Sequence, residues 1–328
     1  MTIRVNDPPR PAGSADACRL FDLAHLGLIA VRGADAEQFL QGQMTCDVRQ
    51  VTPERGRLGA HCNQKGRMLA ICRLLRLDDG LYLQLPAERR DALRQQLQRF
   101  VLRSKVGLTD VSDTLGRIGI AGQSAGQLLA ERGLPVPRDA DGQTSVGELY
   151  LVRHPGRLPR IQVMGPPAAI AALAADLAGS TLTGSPADWT LLDVQAGIPT
   201  VYSATAELCL PQMANLDLIG GVSFDKGCYV GQEVVARMHH LGKTKRRLYL
   251  AEFDGDVPPA LGAELWSPTS SSRQSSGWIL DTAPLAPGRQ AALAVAEIGA
   301  AEGGEVRLGE QGPRLTLTPP PYGLGEED

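Results

Sequence analysis

The sequence predicts an α+β fold that ends in a small domain of β-strands. Strand-like and helix-like runs follow one another in mixed order rather than in strict β–α–β alternation. Beyond Lys245, short apolar runs are separated by clusters of Gly, Pro and Ser, a pattern typical of a small β-barrel or sandwich. The length of 328 residues corresponds to about two domains.

The first elements follow a loose leader, predicted for residues 1–18 because this segment lacks the apolar core of a secretion signal. Residues 27–31 predict a short buried strand. Residues 34–40 predict a helix, since Asp35 followed by Gln38 is typical of a capped helix start.

A β-meander and a helix come next. Two strand-like runs, 58–62 and 68–77, flank Asn63-Gln64-Lys65-Gly66, where the glycine can take the positive φ that a hairpin turn requires. A third run, 81–85, completes the meander. Residues 87–105 have helical apolar spacing with arginines around it, which favours a solvated helix face over an RNA contact.

The middle of the chain adds strands and helices without a nucleotide-binding pattern. Gly119, Gly122 and Gly126 predict a turn, but their spacing does not match a dinucleotide fingerprint. The predicted strands lie within 106–121 and at 149–153 and 160–164, and the predicted helices at 127–132, 167–178 and 188–196. The strands of the last domain are predicted at 248–253, 277–280, 291–296 and 315–317, after a boundary near 242–246.

Composition excludes several classes of protein. The net charge of −3 argues against a general polyanion binder, and no apolar run reaches the roughly 18 residues of a membrane span. The six cysteines form no C-x-x-C pair, so neither a disulfide scaffold nor a zinc site is indicated. We therefore expect a cytoplasmic protein with free thiols and no metal site.

The segment 220–233 carries four glycines around a lysine and a cysteine two positions apart. In an extended segment Lys226 and Cys228 would share one face, where the ammonium could favour the reactive thiolate. The alternative is a turn in which Cys228 is simply a small buried apolar residue. The spacing alone leaves both interpretations open.

Lys226-Gly227-Cys228-Tyr229-Val230-Gly231-Gln232-Glu233 resembles the K-G-C-x-x-G-Q-E signature of the folate-binding YgfZ family, which is related to the T-protein (aminomethyltransferase) of the glycine cleavage system. Supporting motifs occur in the same order, at 33–35, 41–48, 60–67, 195–199 and 211–216. The resemblance implies a ring of mixed α/β folate-binding lobes with a C-terminal β-barrel. It divides the chain into a folate-binding region of two lobes (19–243), with a ferredoxin-like lobe near 55–112, and a barrel domain (244–328).

The resemblance also implies a function: a tetrahydrofolate-binding accessory protein that supports iron–sulfur cluster assembly or repair and cluster-dependent tRNA modification. The ligand would be a reduced folate, with or without a polyglutamate tail, and the partners would be iron–sulfur proteins, including tRNA-modifying enzymes. We expect a monomer without direct nucleic-acid or membrane binding. The alternatives are a folate-dependent aminomethyl or one-carbon transferase and a thiol-only redox or scaffold protein.

The resemblance assigns the site residues. Cys228 would be the functional thiol with Lys226 as its partner, and Trp189 and Leu26 occupy positions at which the family places tryptophans beside the folate. Gln195, Gly227 and Tyr229 would complete the folate site. The stretch 65–71 has no carboxylate where the aminomethyltransferase has an Asp, and Gln195 replaces a Glu. Because neither position can exchange a proton near neutral pH, a binding protein is favoured over an enzyme.

His239-His240 and the basic run of Lys243, Lys245, Arg246 and Arg247 close the folate-binding region. Adjacent histidines point in opposite directions along a strand, and no acidic ligand lies nearby in sequence, so a metal site is not expected. For the basic run, a solvated linker, a site for a polyglutamate tail and an RNA contact all remain open.

Overall fold

A computed structural model describes residues 17–242, 244–270 and 275–325. Its strands are β1 (Arg19–Asp22), β2 (Leu26–Arg32), β3 (Arg57–Cys62), β4 (Met68–Leu77), β5 (Gly80–Pro86), β6 (Gly107–Asp110), β7 (Gly116–Ala121), β8 (Gln143–Val146), β9 (Leu149–His154), β10 (Arg160–Gly165), β11 (Leu182–Gly184), β12 (Arg246–Asp254), β13 (Glu264–Trp266), β14 (Gly277–Ala286), β15 (Arg289–Glu297), β16 (Val306–Leu308) and β17 (Arg314–Thr318). Its α-helices are α1 (Ala36–Gln41), α2 (Ala87–Val101), α3 (Ala125–Ala130), α4 (Pro167–Leu177), α5 (Pro186–Ala196), α6 (Gln232–Leu241) and α7 (Ile298–Glu302).

The first sheet is antiparallel and has the strand order β3-β4-β5-β2-β6. Gly66 takes a φ of +72° in the β3–β4 turn, which confirms the predicted hairpin. β2 lies between β5 and β6, so the sheet draws on residues ahead of the predicted lobe near 55–112. Helix α2 packs Leu93 and Leu97 onto this sheet and ends earlier than predicted, where Leu102 takes a φ of +45°.

The second sheet has the order β11-β1-β7-β10-β9-β8. Helices α3 and α4 cover one of its faces, on which Ile118 and Ile120 of β7 lie. Alternate residues of a strand point to opposite faces, and Gly119 accordingly faces Trp189 of α5 on the other side. The prediction of a turn at Gly119 was therefore wrong, because the apolar neighbours of this glycine form a paired strand.

The two sheets pack against each other through buried side chains. Leu28 and Leu75 of the first sheet contact the same core cluster as Val152 and Met164 of the second. This packing brings Gln84 of β5 and Gln162 of β10 within hydrogen-bonding distance, so that residues far apart in the chain can form one site.

The C-terminal strands close into a barrel with the order β12-β15-β14-β13-β16-β17. The pairing of β12 with β17 closes the sheet. Of the two architectures that the strand pattern predicted, barrel and sandwich, the domain is therefore the barrel. Helix α5 packs on β14 and β15, and its Val194 shares a core with Leu280 and Leu293 of the barrel. The predicted fold class, α+β with a C-terminal β-barrel, is confirmed.

The predicted leader 1–18 lies outside the described residues except for its last two. Of these, Cys18 is only 3% exposed and packs in the core between the second sheet and its helices, so it belongs to the folded region. No helix among the described residues has the length and apolar character needed to cross a membrane.

Candidate functional site

Trp189 is fixed by the way helix α5 begins. Ser185 and Asp188 form a reciprocal capping box, in which each side chain accepts a hydrogen bond from the other residue's backbone N–H. This arrangement sets the first helical turn and thereby directs Trp189, which is 1% exposed. Its indole packs edge-on against the rings of Phe21 (5.2 Å) and His154 (5.3 Å).

A cleft lies beside Trp189, where the two sheets and α5 meet. It is lined by Leu26, Leu58, Ile71, Arg73, Gln84, Leu85, Pro86, His154, Trp189, Asp193, Ile198, Pro199 and Thr200. Leu26 and Trp189, which the resemblance places at the folate, thus border one space. The cleft encloses about 70 Å³, whereas sites that enclose a drug-sized ligand hold about 300–1,000 Å³. A ligand the size of a folate would therefore insert one part and leave the rest outside.

An amide pair joins the two sheets at the cleft. Gln84 and Gln162 donate to each other's side-chain oxygens at 3.0 and 2.6 Å. The Nε2 of His154 lies 2.9 Å from the same Gln162 oxygen and donates to it, because that oxygen is an acceptor. Burial, together with the charges of Arg73 and Arg160, holds the pKa of His154 well below its usual range. The imidazole is therefore neutral at physiological pH.

Two buried guanidinium groups flank the cleft, and each is paired with a carboxylate. Arg160 lies 2.7 Å from Asp193 and 5.5 Å from the Trp189 ring centroid, and Arg73 pairs with Asp141. Asp193 was not singled out in the sequence, although it lies four residues after Trp189 and hence on the same helical face. For Arg73 and His154, which lie on separate strands, no local signal existed.

Lys226 is held in the protein interior by backbone carbonyls. Its Nζ donates hydrogen bonds to the carbonyl oxygens of Gln41 (2.7 Å), Met44 (2.6 Å) and Cys46 (2.8 Å). The side chain is 6% exposed, and burial lowers its pKa to about 8. An ammonium has three N–H donors, so none remains for Cys228. The segment is also not the extended strand in which Lys226 and Cys228 were expected to share one face.

Cys228 is the one exposed cysteine of the chain. The other five are buried, and burial raises the pKa of Cys46, Cys62 and Cys209 to about 12 and also raises the pKa of Cys18 and Cys72. Cys228 is therefore not the small buried apolar residue of the alternative interpretation.

The loop around Cys228 rests on the β3–β4 hairpin that also lines the cleft. Gly231 has a φ of +84°, and a Cβ there would lie 2.4 Å from the carbonyl oxygen of Asn63 and 2.9 Å from the Cα of Gly66. The same hairpin contributes Leu58 and Ile71 to the cleft. The β3–β4 hairpin thus supports both the loop around Cys228 and the wall of the cleft.

The remaining predicted site residues are placed differently. Gln195 is exposed on α5 and does not line the cleft, because it lies on a different helical face from Trp189 and Asp193. Gly227 is exposed beside Cys228, whereas Tyr229 is buried with its ring centroid 5.1 Å from the Lys226 Nζ. Neither Gly227 nor Tyr229 is among the residues that line the cleft.

The basic run is largely engaged in structural contacts. Arg246 pairs with Glu297 and lies over Trp278, and Arg247 pairs with Asp217. These contacts tie the start of the barrel to its neighbours, so neither arginine is a free partner for a polyglutamate tail or RNA. Lys243 lies outside the described residues. His239 stacks on Phe224 with 3.7 Å between ring centroids.

Comparisons with known proteins agree with this architecture. Residues 14–167 match the family described as GCVT N-terminal domain. The crystal structure of the glycine cleavage system aminomethyltransferase T from Bartonella henselae superposes with a TM-score of 0.75 at 18% identity, covering 94% of this chain and 87% of that one. The fold is therefore that of the glycine cleavage aminomethyltransferases.

Two curated relatives bear the same name, tRNA-modifying protein YgfZ. The relative from Colwellia psychrerythraea is 36% identical over 230 residues, which is 70% of each chain. The relative from Sodalis glossinidius is 31% identical over 329 residues, which covers 99% of this chain and 100% of the relative. The chain belongs to the YgfZ family, and the resemblance carried by the motif at 226–233 is confirmed.

Proposed function

We propose that this chain is a tetrahydrofolate-binding accessory protein that supports iron–sulfur cluster assembly or repair and, through cluster-dependent enzymes, tRNA modification. It acts in the cytoplasm as a monomer and does not itself bind nucleic acid. The observation that carries the proposal is the cleft between the sheets, where Leu26 and Trp189 meet within an aminomethyltransferase fold.

The cleft has the chemistry of a site for one heteroaromatic ring. Its wall combines apolar side chains such as Ile71 and Leu85 with a few polar groups, including the His154 imidazole and the Asp193 carboxylate. Small-molecule sites usually have this composition, in which apolar surface supplies affinity and the polar groups fix orientation. The glutamate tail of a folate would lie outside, as the small volume of the cleft requires.

The accessory role is supported by the names of the relatives and by the exposed thiol. Both relatives are named as tRNA-modifying proteins. Cys228 is accessible without any opening of the fold, so it can meet a protein partner that carries a cluster. A partner protein, rather than tRNA, is thus the proposed connection to tRNA modification.

One observation favours a second candidate, a folate-dependent one-carbon transferase. The stretch 65–71 has no carboxylate, but Asp193 brings one to the cleft wall from α5. A carboxylate beside a bound folate could stabilise a developing positive charge. Asp193 is already paired with the buried Arg160, so its charge is balanced within the protein, and for this reason binding without turnover is the preferred function.

Isothermal titration calorimetry with tetrahydrofolate tests the proposal. We expect saturable binding with a Kd in the micromolar range, about 8 kcal/mol of binding free energy. The Leu26→Trp variant, which adds an aromatic wall, should bind more tightly. An assay with an aminomethyl-lipoyl donor should show no turnover. Absence of saturable binding would refute the folate claim, and turnover comparable to that of an aminomethyltransferase would establish the second candidate instead.

A further inference from the structure

We propose that Lys226 is a positioning residue for Cys228: its ammonium ties the Gly227–Cys228 tip to the 41–46 segment, so that the thiol is presented by geometry rather than activated by charge. The proposal deepens the proposed function and rests on it in one respect: Cys228 is taken to be the functional thiol. It concerns the loop itself and requires neither folate nor a cluster for its test.

The Lys226 ammonium uses all three of its N–H donors in hydrogen bonds to the backbone. The three acceptor carbonyls of Gln41, Met44 and Cys46 lie within 2.6–2.8 Å of Nζ, and each is at least 180 positions away in the chain. Hydrogen bonds from a charged donor are among the strongest in proteins. A single side chain therefore holds two distant backbone segments together. Its remaining electrostatic neighbours, Cys46, Asp47 and Arg49, also lie on the 41–49 side.

The Gly227–Cys228 tip is anchored on both sides by buried residues. Lys226 and Tyr229 are buried, whereas Gly227 and Cys228 between them are exposed. A Cβ added at Gly227 would meet no atom within 4 Å, so the tip projects into open space. Beyond Tyr229, Gly231 fits closely against the carbonyl oxygen of Asn63. The backbone is thus fixed immediately before and after a two-residue protrusion.

A second contact supports the base of the loop. Phe224, two residues before Lys226, stacks on His239 near the end of α6 with an angle of 8° between the ring planes. The stack joins the entry of the loop to the helix that follows it. Both rings are accessible, so this contact is weaker than the buried hydrogen bonds from Lys226 to the 41–46 segment. Those hydrogen bonds therefore dominate the position of the tip.

Positioning and activation predict opposite results in one experiment. Iodoacetamide labelling of Cys228 is measured as a function of pH in the wild type, in Lys226→Met and in the matched control Lys245→Met, whose lysine is exposed. Hydrogen exchange is measured by mass spectrometry on the same proteins. Positioning predicts that the midpoint pH of labelling stays unchanged in Lys226→Met. It also predicts that amide exchange rises in both 41–46 and 226–230 by roughly tenfold or more, as expected when charge-assisted hydrogen bonds are lost.

Two results of these measurements would overturn the proposal. A rise of the labelling midpoint by about one pH unit, the shift that a lost neighbouring ammonium produces, overturns the proposal whatever the exchange shows. Unchanged exchange in 41–46 also overturns it. If Lys226→Met does not fold, the acylation rates of the lysines are compared in the wild type. The hydrogen-bonded Lys226 should react more slowly than the exposed Lys245. Equal rates would contradict the proposed attachment of Lys226 to the 41–46 segment. If the protein does not bind folate, the labelling, hydrogen-exchange and acylation results would still test the role of Lys226. Only the proposed function would be refuted.

Discussion

The indole of Trp189 fills the space in which a side chain at position 119 would lie. A Cβ built on Gly119 would be 2.4 Å from Cζ3 of the indole and 2.9 Å from Cε3. Atoms cannot approach so closely, so the position of the tryptophan depends on the absence of a side chain in the neighbouring strand. Gly119 therefore fixes the position of a residue that lines the cleft, although it does not line the cleft itself.

Gly119→Ala should displace Trp189 and destabilise the protein. Overpacking a buried contact of this kind costs about 1–3 kcal/mol, which thermal or urea denaturation will detect. The matched control is Gly179→Ala, where an added Cβ meets no atom within 4 Å and the backbone has no positive φ. Equal stability of Gly119→Ala and the wild type would show that the indole can move without cost.

Asp193→Asn should destabilise the protein far more than loss of a surface ion pair. Asp193 is the partner of Arg160, whose side chain is 1% exposed, and breaking such a pair leaves an uncompensated buried charge. A cost of about 2–4 kcal/mol is expected, somewhat less than for a fully buried pair because Asp193 is partly exposed. In the control, Glu252→Gln breaks an exposed pair with Arg289 and should cost less than about 1 kcal/mol. Similar costs for the two variants would contradict this account of the cleft.

His154 should make the protein less stable in mild acid. Its folded-state pKa is well below the usual value, so below about pH 6.5 the unfolded chain takes up a proton at this position that the folded chain does not. The free energy of unfolding then falls as pH drops, by up to about 1.4 kcal/mol per pH unit, and this loss is absent above that pH. Urea unfolding of the wild type and His154→Gln from pH 7.5 to 5.5 tests this. The wild type should lose stability more steeply, and parallel curves would refute it.

Cys228 should be the first of the six thiols to be alkylated in the native protein. It alone is exposed, while burial raises the pKa values of the other five. Competitive iodoacetamide labelling near neutral pH, read by peptide mass spectrometry, should place most of the label on Cys228. All six should react in denaturant. Comparable native labelling of Cys18 would show that the core of the second sheet opens readily.

Much of the fold could be predicted because its signals are local. The hairpin at Asn63–Gly66 and the apolar spacing of α2 are properties of single segments. The strand pattern left barrel and sandwich open, and only the family resemblance indicated a barrel, because closure depends on the pairing of β12 with β17, which are far apart in the chain.

The site was predictable only where a local pattern or a family motif marked it. Trp189 and Leu26 came from the resemblance, and Asp193 could have been found from its helical spacing to Trp189. The role of Lys226 could not be found, because spacing within the motif says nothing about carbonyls at 41–46. Residues two positions apart share a face only in an extended strand, and the segment that holds Lys226 and Cys228 does not form one.

Titration of tetrahydrofolate against tryptophan fluorescence tests the central claim most directly. The chain has three tryptophans, and only Trp189 lines the cleft, since Trp266 and Trp278 lie in barrel strands. We expect saturable quenching in the wild type and its loss in Trp189→Phe, while Trp278→Phe retains it. The same quenching in Trp189→Phe would place the ligand elsewhere, and no saturable change in any form would contradict a folate site in this cleft.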